Sequence, residues 1–294
     1  MLAYLQNIAV LFCINAILAL TLNFIMGYAG IFSLAHAIFF GVGAYTAAYL
    51  ALHVTDSLLI CIAASAALSA VLSMVLALPA LRVRGEYFVA ASLGLQVIGV
   101  TIFSEWKSVT GGLGGMIGIP PPKLFGYTFG SQASYLTLAF VILLAVLGIT
   151  ALLVRGSFGR SLMAIRDSES AAQAYGKHVN AVKTLSVAVS AGLAGVAGTL
   201  YAFYMSFVNV EGFMLDMSIL LMAMVIIGGT GTLFGPIVGA ALLMALPAAL
   251  TYLPFIPQSE LGTIQQIIYG LAMVLLMMFR PGGLVGGRSK EKSA

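Results

Sequence analysis

The sequence predicts an all-α fold, a polytopic bundle of about eight to nine transmembrane helices formed by residues 1–294 as one domain. Composition is the first reason: 61% of the residues are hydrophobic, 7% are charged and the mean hydropathy is +1.09, whereas soluble domains carry about 25% charged residues. Long apolar runs are the second, since roughly 20 such residues cross a ~30 Å hydrocarbon core. A segment inside lipid must also satisfy its own backbone polar groups, so each span is predicted to be helical.

The apolar runs locate the spans in chain order. The first run, residues 5–26, has no Lys or Arg before it, so we interpret it as a span rather than a cleavable signal peptide. Further runs predict spans at 32–53, 57–81, 87–104, 135–154, 183–206, 216–228, 235–253 and 263–279. The run at 216–228 is too short to cross comfortably, which favours a broken or re-entrant element there.

The basic residues predict the orientation. With nine spans, eleven of the thirteen Lys and Arg residues lie on one side, namely Arg82, Arg84, Arg155, Arg160, Arg166, Lys177, Lys183, Arg280, Arg288, Lys290 and Lys292. The other side receives Lys107, Lys123, Asp56, Glu105, Glu211, Asp216 and Glu260. By the positive-inside rule the basic side is cytoplasmic, so the C-terminus is predicted inside and the N-terminus outside. Topology thus accounts for the basic residues, and we infer no nucleic-acid partner.

Small residues predict close helix packing. Ala188, Ala191, Gly192, Ala194, Gly195 and Gly198 form overlapping small-x-x-x-small pairs, and Ser65, Ser69 and Ser73 form a comparable stripe. Packing within this subunit is favoured over a dimer interface for each stripe, because most such pairs in polytopic proteins serve the fold.

Two segments interrupt the apolar pattern with glycines and hydroxyls, at residues 27–45 and 228–240. Helices that stop and restart are tolerated at membrane depth only where protein or water satisfies the freed backbone groups, often beside a transport path. An ordinary tight turn at the cytoplasmic edge explains either segment equally well. Asn23, Ser33 and His36 are polar residues within the early spans and are candidates to line such a path, although an interhelical hydrogen bond is the favoured role of His36.

Several functional classes lack support in the sequence. No G-x-x-x-x-G-K-[ST] motif occurs, so we expect no ATP site in this chain. No catalytic constellation or metal-ligand spacing is found, which argues against an enzyme. All nine acids are predicted at span ends or in loops, which weakens a proton-coupled secondary carrier but leaves sodium coupling open.

The longest polar interruption, residues 155–183, holds five of the thirteen basic residues and two of the nine acids. Leu162 and Ile165 share a helical face that Ala172 continues, which predicts a short amphipathic helix or helix pair. Asp167 or Ser168 is the expected N-cap of the second helix, with Glu169 in its first turn. Composition alone supports docking to a soluble partner and a solvated, orientation-setting loop equally.

A resemblance decides between these alternatives. Residues 169–176, ESAAQAYG, resemble the cytoplasmic loop by which permeases of bacterial ABC importers contact their ATPase. In order and spacing, six segments together resemble the LivM-type permease family for branched-chain amino acids over almost the whole chain. They are GYAGIFSLAHAIFFGVGAY, LRVRGEYFVAASLGLQVI, TGGLGGMIGIP, GRSLMAIRDSESAAQAYG, GGTGTLFGPIVGA and FRPGGLVG. The Lys177-His178 pair departs from the family, in which an aliphatic residue and Asn are more common.

The resemblance implies a permease subunit in the bacterial cytoplasmic (inner) membrane, without catalytic residues, metal or cofactor of its own. Its implied partners are a LivH-like permease, two cytoplasmic ABC ATPase subunits that use the ATP, an extracytoplasmic solute-binding protein and membrane lipid. Residues 155–183 become a coupling loop, and its expected ATPase contacts are Gly159, Arg160, Ile165, Arg166, Asp167, Glu169, Ala172 and Gly176. Urea, short amides or other small solutes are alternative substrates. An ATP-independent carrier and a membrane scaffold are alternatives of another class.

Overall fold

The computed structural model describes residues 2–81, 86–124, 126–251, 261–279 and 282–285. Its α-helices are α1 (Leu2–Asn23), α2 (His36–His53), α3 (Leu58–Leu81), α4 (Glu86–Glu105), α5 (Lys107–Thr110), α6 (Gln132–Arg155), α7 (Ser157–Asp167), α8 (Glu169–Ala174), α9 (Val179–Met205), α10 (Leu215–Gly228), α11 (Gly235–Thr251) and α12 (Leu261–Phe279). Seven charged residues used to predict the orientation lie outside the described residues: Arg82, Arg84, Glu260, Arg280, Arg288, Lys290 and Lys292.

Each predicted span coincides with one apolar helix, which confirms an all-α polytopic architecture. Within the described ranges, five helices are long and apolar enough to cross a membrane: Leu5–Tyr28, Leu58–Val75, Tyr87–Glu105, Gln132–Arg155 and Val179–Met205. Three shorter apolar helical stretches follow, at Leu215–Gly228, Gly235–Leu246 and Thr263–Leu275. The shortness predicted for residues 216–228 is therefore present in the structure.

Two of the long helices form the centre of the bundle. The spans Leu5–Tyr28 and Val179–Met205 are each 78% buried, whereas the other three are 28% buried and present most of their surface outward. Helix α2 joins the central pair, since most of its residues are buried. The last turn of α1 widens into a π-helix, Phe24–Tyr28, and such a widening often marks a functional position.

Glycine and serine allow α2, α3 and α9 to approach closely. A Cβ at Gly43 would lie 2.3 Å from the carbonyl oxygen of Gly195. A larger residue at Gly43 would therefore force α2 and α9 apart. Ser65 and Ser69 donate hydrogen bonds from α3 to the Gly43 and Phe39 carbonyls of α2, at 2.9 and 3.2 Å. The structure confirms that both small-residue stripes serve packing within the chain.

Short strands lie at the end of the bundle opposite the 155–183 loop. The pairs are β1 (Met116–Ile117) with β4 (Phe207–Val208) and β2 (Lys123–Leu124) with β3 (Tyr127–Thr128), both antiparallel. The Lys123 ammonium lies 2.7 Å from the Asp56 carboxylate in the α2–α3 connection. The hydrogen bond from Lys123 holds the pKa of Asp56 below its ordinary value. These contacts fix the loops at this end to one another.

Candidate functional site

The polar loop folds as the predicted helix pair, α7 and α8. Ser168 separates them and caps α8, because its Oγ accepts a hydrogen bond from the Ala171 N–H at 3.3 Å. Glu169 occupies the first turn of α8, where an acid complements the helix dipole, and it forms an ion pair with Lys183 at the start of α9. The loop is thereby attached to α9 as well as to α6.

The apolar face of the loop packs against the rest of the chain. Leu162 and Ile165 are buried at 0% and 1% exposure, and Ile165 forms a small cluster with Ala172 and Val179. At the α6–α7 corner a Cβ on Gly159 would lie 2.0 Å from the Val154 carbonyl oxygen. Three of the expected contact residues, Gly159, Ile165 and Ala172, thus shape the loop and are covered by the chain itself.

The outward surface of the loop is polar apart from one aromatic ring. Arg160, Asp167 and Gly176 are exposed, and Glu169 is partly exposed. Tyr175 is 88% exposed, which places an unburied ring at the tip of the loop. Tyr175 is not among the predicted contact residues, since nothing in its spacing along the sequence distinguishes a surface tyrosine from a packed one.

Arg166 joins the loop to the first helix break. Its Nη1 donates a 2.7 Å hydrogen bond to the carbonyl oxygen of Gly27, while Nε and Nη2 donate to Asp167 Oδ1 at 3.2 and 3.1 Å. The neighbouring Gly30 has φ +70°, and a Cβ there would lie 2.8 Å from Arg166 Cγ. Arg166 is among the residues predicted to contact the ATPase, but the structure turns part of its guanidinium inward.

Asn23 joins the first helix break to the second. Its Nδ2 donates to the Thr232 carbonyl oxygen at 2.8 Å, and its Oδ1 accepts from the Gly231 N–H at 2.9 Å. Gly27, Gly231 and Arg166 therefore lie together, although they come from three distant parts of the sequence. Asn23, expected to line a path, uses its amide to hold these segments in place.

The two breaks differ in conformation. After the π-helix, residues 29–35 are non-helical, and the Leu34 N–H in this stretch is bonded to Ser92 Oγ of α4 at 3.0 Å. The second break is a tight turn between α10 and α11, since a Cβ on Gly228 at the end of α10 would lie 1.9 Å from the carbonyl oxygen of Gly235 at the start of α11. The first break is thus an irregular segment between helices, and the second is a close turn.

Ser33 and His36 are buried and hydrogen-bonded inside the chain. His36 Nε2 lies 2.9 Å from Thr21 Oγ1 of α1, and Ser33 Oγ accepts from the Ala35 N–H at 3.3 Å. The His36 contact is the interhelical hydrogen bond that the sequence analysis favoured. In this structure His36 holds α1 against the start of α2, while the Ser33 bond lies within the segment that precedes α2.

The chemistry available in this region is hydrogen bonding and charge pairing. Across the described ranges, no group of three or more His, Cys, Asp or Glu residues is placed to hold a metal ion. The loop, the two breaks and Arg166 form one connected unit, which suits the transmission of movement from the loop to the helices.

Comparisons with known proteins agree with the motifs. Residues 4–278 match the family model described as branched-chain amino acid transport system / permease component. The high-affinity branched-chain amino acid transport system permease protein LivM of Escherichia coli K12 is 30% identical over 95% of this chain and 69% of its own length. A probable LivM protein of Methanocaldococcus jannaschii is 22% identical, over 78% of this chain and 68% of its own length. A probable LivH protein of that organism is 29% identical, over 54% of this chain and 50% of its own length. No solved structure matches the chain.

Proposed function

Since the chain belongs to the family of branched-chain amino acid transport system permease components, we propose that it forms one half of the path by which an ABC importer carries branched-chain amino acids across the inner membrane. The other half is a LivH-like permease. Two cytoplasmic ATPases supply the energy and an extracytoplasmic binding protein delivers the solute. The coupling loop and the C-terminus face the cytoplasm in this arrangement.

The mechanism rests on the series of hydrogen bonds that connects the loop to the two helix breaks. The exposed surface around Arg160, Asp167 and Tyr175 supplies the ATPase contact. When the ATPases close around ATP, the loop moves, and Arg166 transmits the movement to Gly27. Asn23 carries it to the turn at Gly231. The two access states then differ in contact energy, which is the requirement for a coupled change.

A charge reversal in the loop tests the docking role. In the unmodified protein Glu169 pairs with Lys183. Glu169→Lys therefore places two ammonium groups side by side, and it also reverses the charge in the first turn of α8. We expect uptake to be abolished while the protein remains in the membrane. Replacing Gly176, at φ +76°, with a bulky residue strains the loop tip and is expected to have the same effect. Glu105→Lys makes the same charge change on an exposed residue at the far end of α4 and should leave uptake intact.

Substrate and energy source are tested on the purified complex with its ATPases, partner permease and binding protein. ATP hydrolysis should be stimulated by Leu, Ile or Val, whereas stimulation by urea alone would favour the alternative substrate. Uptake that survives ATP depletion while a cation gradient remains would identify a secondary carrier. Normal uptake by the Glu169→Lys variant would exclude the coupling role of the loop.

A further inference from the structure

Helix α10 begins halfway through the bundle. The Gln96 side chain donates from Nε2 to the carbonyl oxygen of Phe213, two residues before α10, at 2.7 Å. Gln96 is the eleventh of the twenty residues of α4, so it lies at the middle of that helix. Ser218 of α10 accepts from the Ala37 N–H in the first turn of α2 at 3.1 Å. From this position beside the middle of α4, the fourteen residues of α10 extend only about 21 Å.

This start of α10 carries a carboxylate at an unexpected depth. Asp216 lies in the first turn and is exposed on the surface of the chain. Asp216 was predicted to lie on the outer side. Hydropathy shows where the apolar run at 216–228 begins along the sequence, but not how deep in the bundle that point lies. A carboxylate facing lipid halfway through a bundle is unfavourable, and such residues face a partner or a water-filled path instead. The face that bears Asp216 is therefore suited to the translocation path.

The backbone at the same place offers hydrogen-bond donors. The N-cap of α10, Met214, makes no side-chain capping bond among the described residues. The first N–H groups of a helix have no partner in a preceding turn, and they carry partial positive charge. In α10 the Met217 N–H donates to the Met214 carbonyl oxygen at 3.1 Å, which leaves those of Leu215 and Asp216 as the available donors. Broken helices of transporters direct such ends toward anionic groups of the substrate.

Gln96 adds a buried acceptor that points to a ligand. It is 1% exposed, and its Oε1 has no hydrogen-bond partner in the part of the chain that the structure describes. With Nε2 bonded directly before α10, the amide faces the first turn of that helix. Gln96 and Asp216 line one open cleft of about 290 Å³, whose apolar walls include Val97, Val100 and Leu215. Asp216 also lines a second cleft, of about 560 Å³, toward α11 and α12.

We propose that the cleft at the start of α10 binds the head group of a zwitterionic amino acid with an apolar side chain. The ammonium is held by the Asp216 carboxylate and Gln96 Oε1. The carboxylate is held by the backbone N–H groups of Leu215 and Asp216 at the start of α10, and the side chain lies against Val97, Val100 and Leu215. This site rests on the proposed function, because it assigns the substrate class of the path to particular residues of this subunit.

The test separates recognition of the ammonium from a structural role. The two permease subunits with their ATPases, without the solute-binding protein, are reconstituted in nanodiscs. They are titrated with leucine, with 4-methylpentanoate, which lacks the ammonium, and with isoamylamine, which lacks the carboxylate. We expect leucine to bind most tightly to the wild type. Asp216→Asn should weaken leucine and isoamylamine on the order of tenfold, the effect of losing one charged hydrogen-bond partner, and leave 4-methylpentanoate unchanged. Gln96→Met should weaken the same two probes.

Controls keep the result interpretable. Asp216→Glu retains the charge and should retain the preference for the ammonium. Glu105→Gln removes an exposed acid at the end of α4, the helix that also carries Gln96, and should change nothing. Equal weakening of all three probes by Asp216→Asn overturns the proposal, as does a wild-type complex that transports leucine but binds none of the probes. A wild-type complex that transports no solute at all refutes the proposed function instead.

Discussion

Arg166 offers the most direct test of how the loop is connected to the helices. Its hydrogen bond to the Gly27 carbonyl is charge-assisted, and such bonds contribute about 1.5–3 kcal/mol. The Arg166 side chain is 39% exposed, so solvent screening favours the lower part of that range, about 1.5–2 kcal/mol. Arg166→Gln should therefore shift the equilibrium between attached and detached loop by about 10- to 30-fold.

The assay is the ratio of solute transported to ATP hydrolysed by the reconstituted complex. The Arg166→Gln complex should keep its basal ATPase rate, because the residues assigned to the ATPase contact, Arg160, Asp167 and Tyr175, are unchanged, while the transport ratio falls. Arg155→Gln is the matched control, since Arg155 is an exposed arginine at the end of α6 and lies outside the residues assigned to the ATPase contact. An unchanged ratio for Arg166→Gln, or an equal loss in both variants, would refute the transmission role of Arg166.

Two further predictions concern stability. Gly195→Leu should lower the thermal unfolding midpoint in detergent, because a Cβ at this position would lie 2.5 Å from Ser69 Oγ. Overpacking of this kind costs about 1–3 kcal/mol. Gly94→Leu is the control and should leave the midpoint unchanged, since a Cβ at Gly94 would have nothing within 4 Å. The Asp56–Lys123 pair should make stability pH-dependent: the pKa of Asp56 is lowered by folding, so its contribution is present above the unfolded pKa and is lost as pH falls through the folded one. An Asp56→Asn variant that shows the same acid-induced loss as the wild type would contradict this.

Much of the helical architecture could be predicted because it follows from apolar length. The run at 135–154 coincides with α6 to within three residues at either end, and the polar loop forms the two helices that the spacing of Leu162 and Ile165 and the cap at Ser168 indicate. The small-residue stripes were also assigned to internal packing, which the contact between Gly43 and Gly195 confirms.

The site was less predictable, because its contacts join distant segments. Helical spacing shows that Ile165 and Ala172 share a face, but it does not reveal whether a partner or the chain itself covers that face. Nothing local to Asn23 indicates that it meets Gly231, more than two hundred residues away in sequence. Hydropathy measures the length of α10 but not its depth, so the position of Asp216 could be found only from the bond between Gln96 and Phe213.

The turn at residues 282–285 has a consequence for biosynthesis. Leu284 and Val285 donate their backbone N–H groups to the carbonyls of Ile227 and Gly228 at 3.0 Å each, at the carboxyl end of α10. A ribosome completes α10 long before it reaches these residues, and until then the two carbonyls lack these donors. The nascent permease therefore passes through a stage in which α11 and α12 are already made while the last carbonyls of α10 still lack these two hydrogen bonds.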